Sequence, residues 1–94
     1  VTALNVVKNE ARRRFEIDLG DGLAFLRYAE EPGVVRLIHT EVPEQFGGRG
    51  IAGKLAAFAL DEARSRGLHV IPTCPYVRAY IERHPEYADL VALK

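Results

Sequence analysis

The sequence predicts an α/β (α+β) fold: an antiparallel β-meander, then a β-α-β-α run, on one mixed sheet. Three observations carry this. Phe15, Ile17 and Leu19 alternate with Glu16 and Asp18, which is the period of a half-buried strand. The apolar run Val34 to Val42, rich in β-branched residues, reads as another strand and leads into the glycine-rich stretch Gln45 to Leu55. From Ile51 to Arg66 the apolar residues recur at spacings of three and four, which is the pattern of a helix lying on a core.

The elements follow in order. Residues 1–11 fit either a first strand or a short helix. Gly20-Asp21-Gly22 is a hairpin turn, because Asp-Gly supplies the positive φ that tight hairpins need. Leu23 to Ala29 returns as a second strand, and Glu30-Glu31-Pro32-Gly33 turns the chain into the strand at Val34. The helix after the glycines places Ile51, Ala52, Leu55, Phe58, Ala59 and Ala63 on one stripe, with Glu62 and Arg66 spaced for an i,i+4 pair. Gly67 supplies the left-handed residue that ends it. His69 to Ile71 is a short strand, parallel to the strand at Val34 by a right-handed crossover. Tyr76 to His84 is a second helix, with Pro75 at its first position and Pro85 ending it. The tail from Glu86 adds a turn and an edge strand, or frays.

Composition narrows the functions. The 94 residues suit one domain, 1–94, with a single modest core. Formal net charge is zero, so bulk electrostatics points to neither nucleic acid nor an acidic membrane surface as a partner. Residues 48–94 carry seven Lys/Arg against five Asp/Glu, a small positive excess in the half that holds the glycine stretch. Arg12-Arg13-Arg14 reads either as a solvated strand edge or as a basic docking patch. The single cysteine excludes an intramolecular disulfide and suits a reducing, cytoplasmic setting. No apolar run approaches the ~18 residues of a membrane span, and no signal peptide is expected. The chain has no methionine, so its start is expected to have been processed or trimmed. No cluster with metal-ligand spacing occurs.

A strand, a glycine-rich turn and a helix N-terminus together form an anion site. The glycines let the backbone approach a ligand closely, and the helix dipole places positive potential at the mouth. Three phosphate-binding patterns overlap here. Gly48-x-Gly50-x-x-Gly53 matches the dinucleotide fingerprint, but His69-Val70-Ile71 runs into Pro72-Thr73-Cys74-Pro75 without the acidic residue that motif requires. Gly48-x4-Gly53-Lys54 imitates a P-loop, but the next residue, Leu55, has no hydroxyl to offer Mg²⁺. The third pattern is Gln45-x-x-Gly48-x-Gly50.

That pattern resembles the coenzyme A pyrophosphate loop of the GNAT superfamily of N-acetyltransferases. The run from His39 to Tyr87 is similar to the small stand-alone YjdJ-type N-acetyltransferase domain. Four pieces match in order: His39-Thr40-Glu41-Val42-Pro43, Gly48-Arg49-Gly50-Ile51-Ala52, Pro72-Thr73-Cys74-Pro75, and Tyr80-Ile81-Glu82-Arg83-His84-Pro85-Glu86-Tyr87. Residues 15–38 fit its preceding strands more loosely. The resemblance implies a GNAT-like mixed sheet whose strands splay into a V-shaped cofactor cleft. It implies acetyl-CoA as co-substrate and no metal. The backbone of Phe46, Gly47, Gly48, Arg49, Gly50 and Ile51 would hold the pyrophosphate, and that of Thr40, Glu41 and Val42 would pair with pantetheine. The chain departs from the pattern in lacking room for the two helices that usually follow the first strand and wall the acceptor site. The acceptor amine, on a protein lysine or N-terminus or elsewhere, therefore meets an open or partner-completed site. The resemblance fits an N-acyltransferase; the alternative is a non-catalytic coenzyme A or acyl-CoA-binding module working through a protein partner.

Four residues are candidates for the chemistry, each with a plainer alternative. Glu41 ends its strand beside the cleft, on the same alternating face as His39 and Leu37. Flanked by apolar groups it would serve as a general base; facing solvent it is a rim carboxylate. His39 would orient it, take a proton itself, or be structural. Cys74 is the expected N-cap of the second helix, where the dipole lowers a thiol pKa; otherwise it is a small buried hydrophobe. Tyr80 matches by order the tyrosine that protonates the departing thiolate in GNAT enzymes, or it packs with a polar tip.

Overall fold

The computed structural model describes residues 5–92. It contains β1 (Val7–Asn9), β2 (Arg14–Asp18), β3 (Leu23–Glu31), β4 (Val34–Glu41), α1 (Ile51–Ser65), β5 (His69–Pro72) and α2 (Pro75–Arg83). Short 3₁₀ turns occupy Glu44–Phe46 and Pro85–Leu90. The five strands lie in sequence order, β1-β2-β3-β4-β5. The first three pairings are antiparallel, and β4 with β5 is parallel. The mixed sheet is thus the expected one. Of the stretch 1–11, residues 1–4 lie outside the described residues; the rest supplies the strand β1, which reaches β2 through a turn at Glu10–Arg13 with no helix between them. At the other end the chain adds a turn and a single parallel bridge, Val91 to Val70.

Local chemistry explains the turns. Gly20 (φ +85°) opens the β2–β3 hairpin while Asp18 Oδ1 accepts from its N–H at 2.9 Å. Pro32-Gly33 closes the next hairpin, with Gly33 at φ +76° after a proline, as a type II turn requires. Arg12 and Arg13 sit in the β1–β2 turn, whereas Arg14 starts β2, pairs with Glu16 at 2.7 Å and lies over the Phe25 ring.

Both helices pack on one sheet face. Phe15, Ile17, Ala24, Leu26, Tyr28, Val35, Leu37 and Val70 form one core with Leu55, Leu60, Val77, Ile81 and Leu90. Cross-strand partners share a face, so the other face carries Glu16, Phe25, Arg27, Arg36, His39, Glu41 and Ile71. Arg27, His39 and Glu41 there are exposed, and among the described residues no helix covers them.

The stripe of α1 is wider than its sequence suggested. Ile51, Leu55, Ala59 and Ala63 are buried as expected, but so are Ala56 and Leu60, whereas Phe58 is 39% exposed. The reason is that α2 leans on α1 and adds a second covered side: a Cβ on Gly53 would touch Tyr76 Oη at 3.5 Å and Tyr80 Cε2 at 3.6 Å. Glycine in a helix interior costs about 1 kcal/mol relative to alanine, which close helix contact offsets here. The Glu62–Arg66 pair forms at 3.7 Å, but Arg66 lies closer to Glu30, at 2.6 Å.

Candidate functional site

Two backbone irregularities build the site at the C-terminal end of β4. The first is a bulge. Arg27 pairs with His39, yet Tyr28 pairs with Leu37, leaving Ile38 as an extra residue on β4. Because side chains alternate with period two, one inserted residue reverses every side chain after it. His39 and Glu41 therefore lie on the face opposite Leu37, which corrects the expectation that all three share one. Thr40 takes the core side, as the cross-strand partner of Leu26.

The second irregularity is the early end of β5. Its ladder with β4 has four pairs and stops at Leu37 with Pro72, where proline cannot donate. Beyond it the strands part. The N–H of Cys74 still donates to the Leu37 carbonyl at 2.9 Å, while β4 runs on through Ile38, His39, Thr40 and Glu41. A strand edge without a neighbour offers its backbone groups to an extended ligand.

Beside this gap stands the glycine turn. Gly48 and Gly50 adopt φ +79° and +75°, and an added Cβ at either meets nothing within 4 Å. Glycine is thus required there by backbone conformation rather than by crowding. Gly50 is the N-cap of α1, no side chain caps it, and the first turn carries no acid. The opening amides of α1 have no intrahelical partners, so they are available to an anion, with Lys54 in the same turn. A cavity of about 250 Å³ opens here, lined by Val42, Phe46, the glycines of the turn, Ile51, Ala52 and Tyr76. Its lining mixes an apolar trough with the glycine-turn backbone, which suits an anionic group joined to an apolar chain.

Cys74 is the N-cap of α2, as its sequence position indicated, and is 3% exposed. Its Sγ lies 3.3 Å from Thr40 Oγ1. Burial raises the thiol pKa, but the Thr40 hydroxyl and the amides of Val77, Tyr76 and Thr40 outweigh it, so the net shift is downward. This contact depends on the bulge, which turns Thr40 inward.

The other candidates lie around this gap. Glu41 is 63% exposed and His39 57% exposed, with Glu41 Oε1 3.7 Å from His39 Nε2. Leu37 lies on the far side of the sheet, so the apolar neighbour of Glu41 is its cross-strand partner Phe25, and most of the carboxylate side chain faces solvent. Tyr80 is half-buried and stacks on His84, ring centroids 4.0 Å apart. Burial is the main cause that raises its pKa, with Tyr76, Asp61 and Glu86 adding to it. Sequence reasoning passed over Tyr76, whose phenol reaches Gly53 and lines the cavity. Its spacing of four from Tyr80, just inside a proline-started helix, was the available signal. Among the described residues no group of three His, Cys, Asp or Glu side chains is arranged to hold a metal, and no helix is long and apolar enough to cross a membrane.

Comparison with known proteins places this geometry. Residues 14–90 match the family model described as GCN5-related N-acetyl-transferase. Protein NATD1 of Danio rerio is 35% identical over 95 residues, covering 96% of this chain and 86% of that protein. Protein NATD1 of Homo sapiens is 35% identical over 85 residues, covering 87% of this chain and 75% of that protein. The NMR structure of a GCN5-like protein from Staphylococcus aureus superposes with a TM-score of 0.76 at 26% identity, covering all of this chain and 94% of that one. The five-stranded mixed sheet with its helices is thus a known architecture, and the chain belongs to the GCN5-related N-acetyltransferase family.

Proposed function

We propose that this protein transfers an acyl group, acetyl first among them, from its coenzyme A thioester to an amine. The observation that carries the reading is the opening between β4 and β5 beside the uncapped N-terminus of α1. One stretch of structure there offers amides for a pyrophosphate and a free strand edge for pantetheine. In this reading the backbone of Phe46, Gly47, Gly48, Arg49, Gly50 and Ile51 holds the pyrophosphate, and Thr40, Glu41 and Val42 line the pantetheine path. An amide near Val42 polarises the thioester carbonyl. The amine approaches the open sheet face, where Glu41 and its neighbour His39 supply the proton acceptor. Tyr80, whose burial keeps its phenol protonated, returns a proton to the leaving thiolate, with Tyr76 as the phenol nearer the glycine turn.

The acceptor is best sought on proteins. An uncovered face gives a small metabolite little enclosure, whereas a lysine or N-terminus brings its own surface for contact. A cytoplasmic setting suits both the co-substrate and the lone buried thiol. The experiment is turnover of acetyl-CoA with a panel of amines and peptides, followed by release of free coenzyme A. Saturable, amine-dependent release supports the reading. Tight coenzyme A binding without turnover supports the second reading, a coenzyme A-binding module that acts through a partner. That reading is favoured by the same open face, since no wall of the acceptor site is supplied by the described residues.

A further inference from the structure

The β4 bulge moves one pair of chemistry-bearing side chains to the open face, and their surroundings differ enough to assign them separate parts. We infer that His39 takes the proton from the acceptor ammonium and that Glu41 is a positioning residue that holds the His39 ring. The inference rests on the acyl-transfer reading above and divides its proton chemistry between two residues.

The environment of His39 is built on three sides. Glu41 Oε1 stands 3.7 Å from Nε2. The Phe25 ring meets the imidazole edge-on, with centroids 6.3 Å apart and planes at 64°. Arg27 is its direct cross-strand partner. Beyond Phe25, Arg14 covers the ring with its guanidinium 4.5 Å from the centroid, and Glu16 holds that guanidinium at 2.7 Å. The charged groups facing His39 are therefore Glu41 and Arg27 directly, with the Arg14–Glu16 pair one strand further. At 3.7 Å the Glu41 carboxylate neighbours Nε2 without a hydrogen bond and is placed to pair with the ring once the ring carries a proton. With more than half of each side chain exposed, an amine on a protein surface can reach it.

Basicity decides between the two. An imidazole is a stronger base than a carboxylate by about two pKa units, so it removes a proton from an ammonium with the smaller uphill step. A carboxylate beside the ring offsets the charge of the imidazolium that forms. The protons balance. The ammonium gives one proton to His39, and the freed lone pair attacks the thioester carbon. The C–N bond forms as the C–S bond breaks, Tyr80 gives its phenol proton to the departing thiolate, and the second proton of the nitrogen passes through water to restore the Tyr80 phenol. His39 then returns its proton to water.

The test is chemical rescue. His39→Ala should lower kcat by about 100-fold or more while coenzyme A affinity, read by calorimetry, stays at the wild-type value. Imidazole added to the buffer should restore turnover of His39→Ala saturably and leave wild type unchanged. Glu41→Gln should lower kcat by roughly 10-fold without a change in KM for acetyl-CoA. Wild-type turnover in His39→Ala, or a loss that imidazole does not rescue, overturns this assignment and leaves acyl transfer standing. A wild-type protein that binds coenzyme A and turns over no amine overturns both.

Discussion

Gly50→Val separates backbone strain from ligand contact at the glycine turn. Gly50 holds φ +75° and ψ +15°, with open space where a Cβ would go. The cost of a side chain is therefore conformational. Left-handed backbone costs an ordinary L-residue about 1–2 kcal/mol, and valine lies at the upper end because its branched Cβ crowds the backbone. A loss of about 2 kcal/mol in a domain of this size lowers Tm by roughly 8–16 °C. Asparagine tolerates the same region, so Gly50→Asn should cost a few tenths of a kcal/mol while still placing a side chain at the turn. The assay pairs thermal unfolding with calorimetric titration of coenzyme A. If the amides around Gly50 hold pyrophosphate, loss of one charge-assisted hydrogen bond, about 1.5–3 kcal/mol, raises Kd at least about 10-fold in Gly50→Val. Equal Tm losses in the two variants would refute the strain argument. Unchanged coenzyme A affinity in folded Gly50→Val would sink the loop assignment.

Three further outcomes follow from the geometry. Direct transfer predicts that acetyl-CoA without acceptor leaves the intact mass unchanged and that Cys74→Ala keeps most of its turnover; a Cys74-dependent acetyl adduct discharged by amine at the turnover rate would establish a covalent route instead. Thr40→Val removes the hydroxyl 3.3 Å from the sulfur, so the thiol pKa should rise and alkylation at neutral pH should slow several-fold, read by timed iodoacetamide labelling; an unchanged rate would show that the α2 amides alone set the thiol. The carboxyl of Glu30 is held down to about 2, first by the Arg66 hydrogen bond and, against the raising effect of burial, by Lys8. Its folded pKa lies below the usual value, so its contribution is present above about pH 4.5 and fades as pH falls toward 2. With the side chain 36% exposed, screening reduces this to about 1 kcal/mol. Urea titrations of wild type and Glu30→Gln should differ at pH 6 and converge near pH 2.

Local, periodic signals were legible in the chain by itself. The alternation of Phe15 and Ile17 places β2, Pro32-Gly33 places a hairpin, Gly67 ends α1, and Pro75 starts α2 with Cys74 as its cap. Each depends on the conformational preference of a few neighbouring residues, which sequence states directly. The glycine turn belongs with them, since positive φ at Gly48 and Gly50 is a property of those residues.

Tertiary structure decided what depends on partners distant in sequence. Nothing in Leu37-Ile38-His39 announces a bulge; it arises from the register of β3 on β4, and it alone sends His39 and Glu41 to solvent and Thr40 to Cys74. The burial of Ala56 and Leu60 follows from α2 leaning on Gly53. Lys8 finds Glu62 across 54 residues and Glu30 across 22, a link no local pattern encodes. Period and propensity tell which residues alternate, but a single extra residue in a ladder inverts which side they face, and only the packed sheet sets where that residue goes.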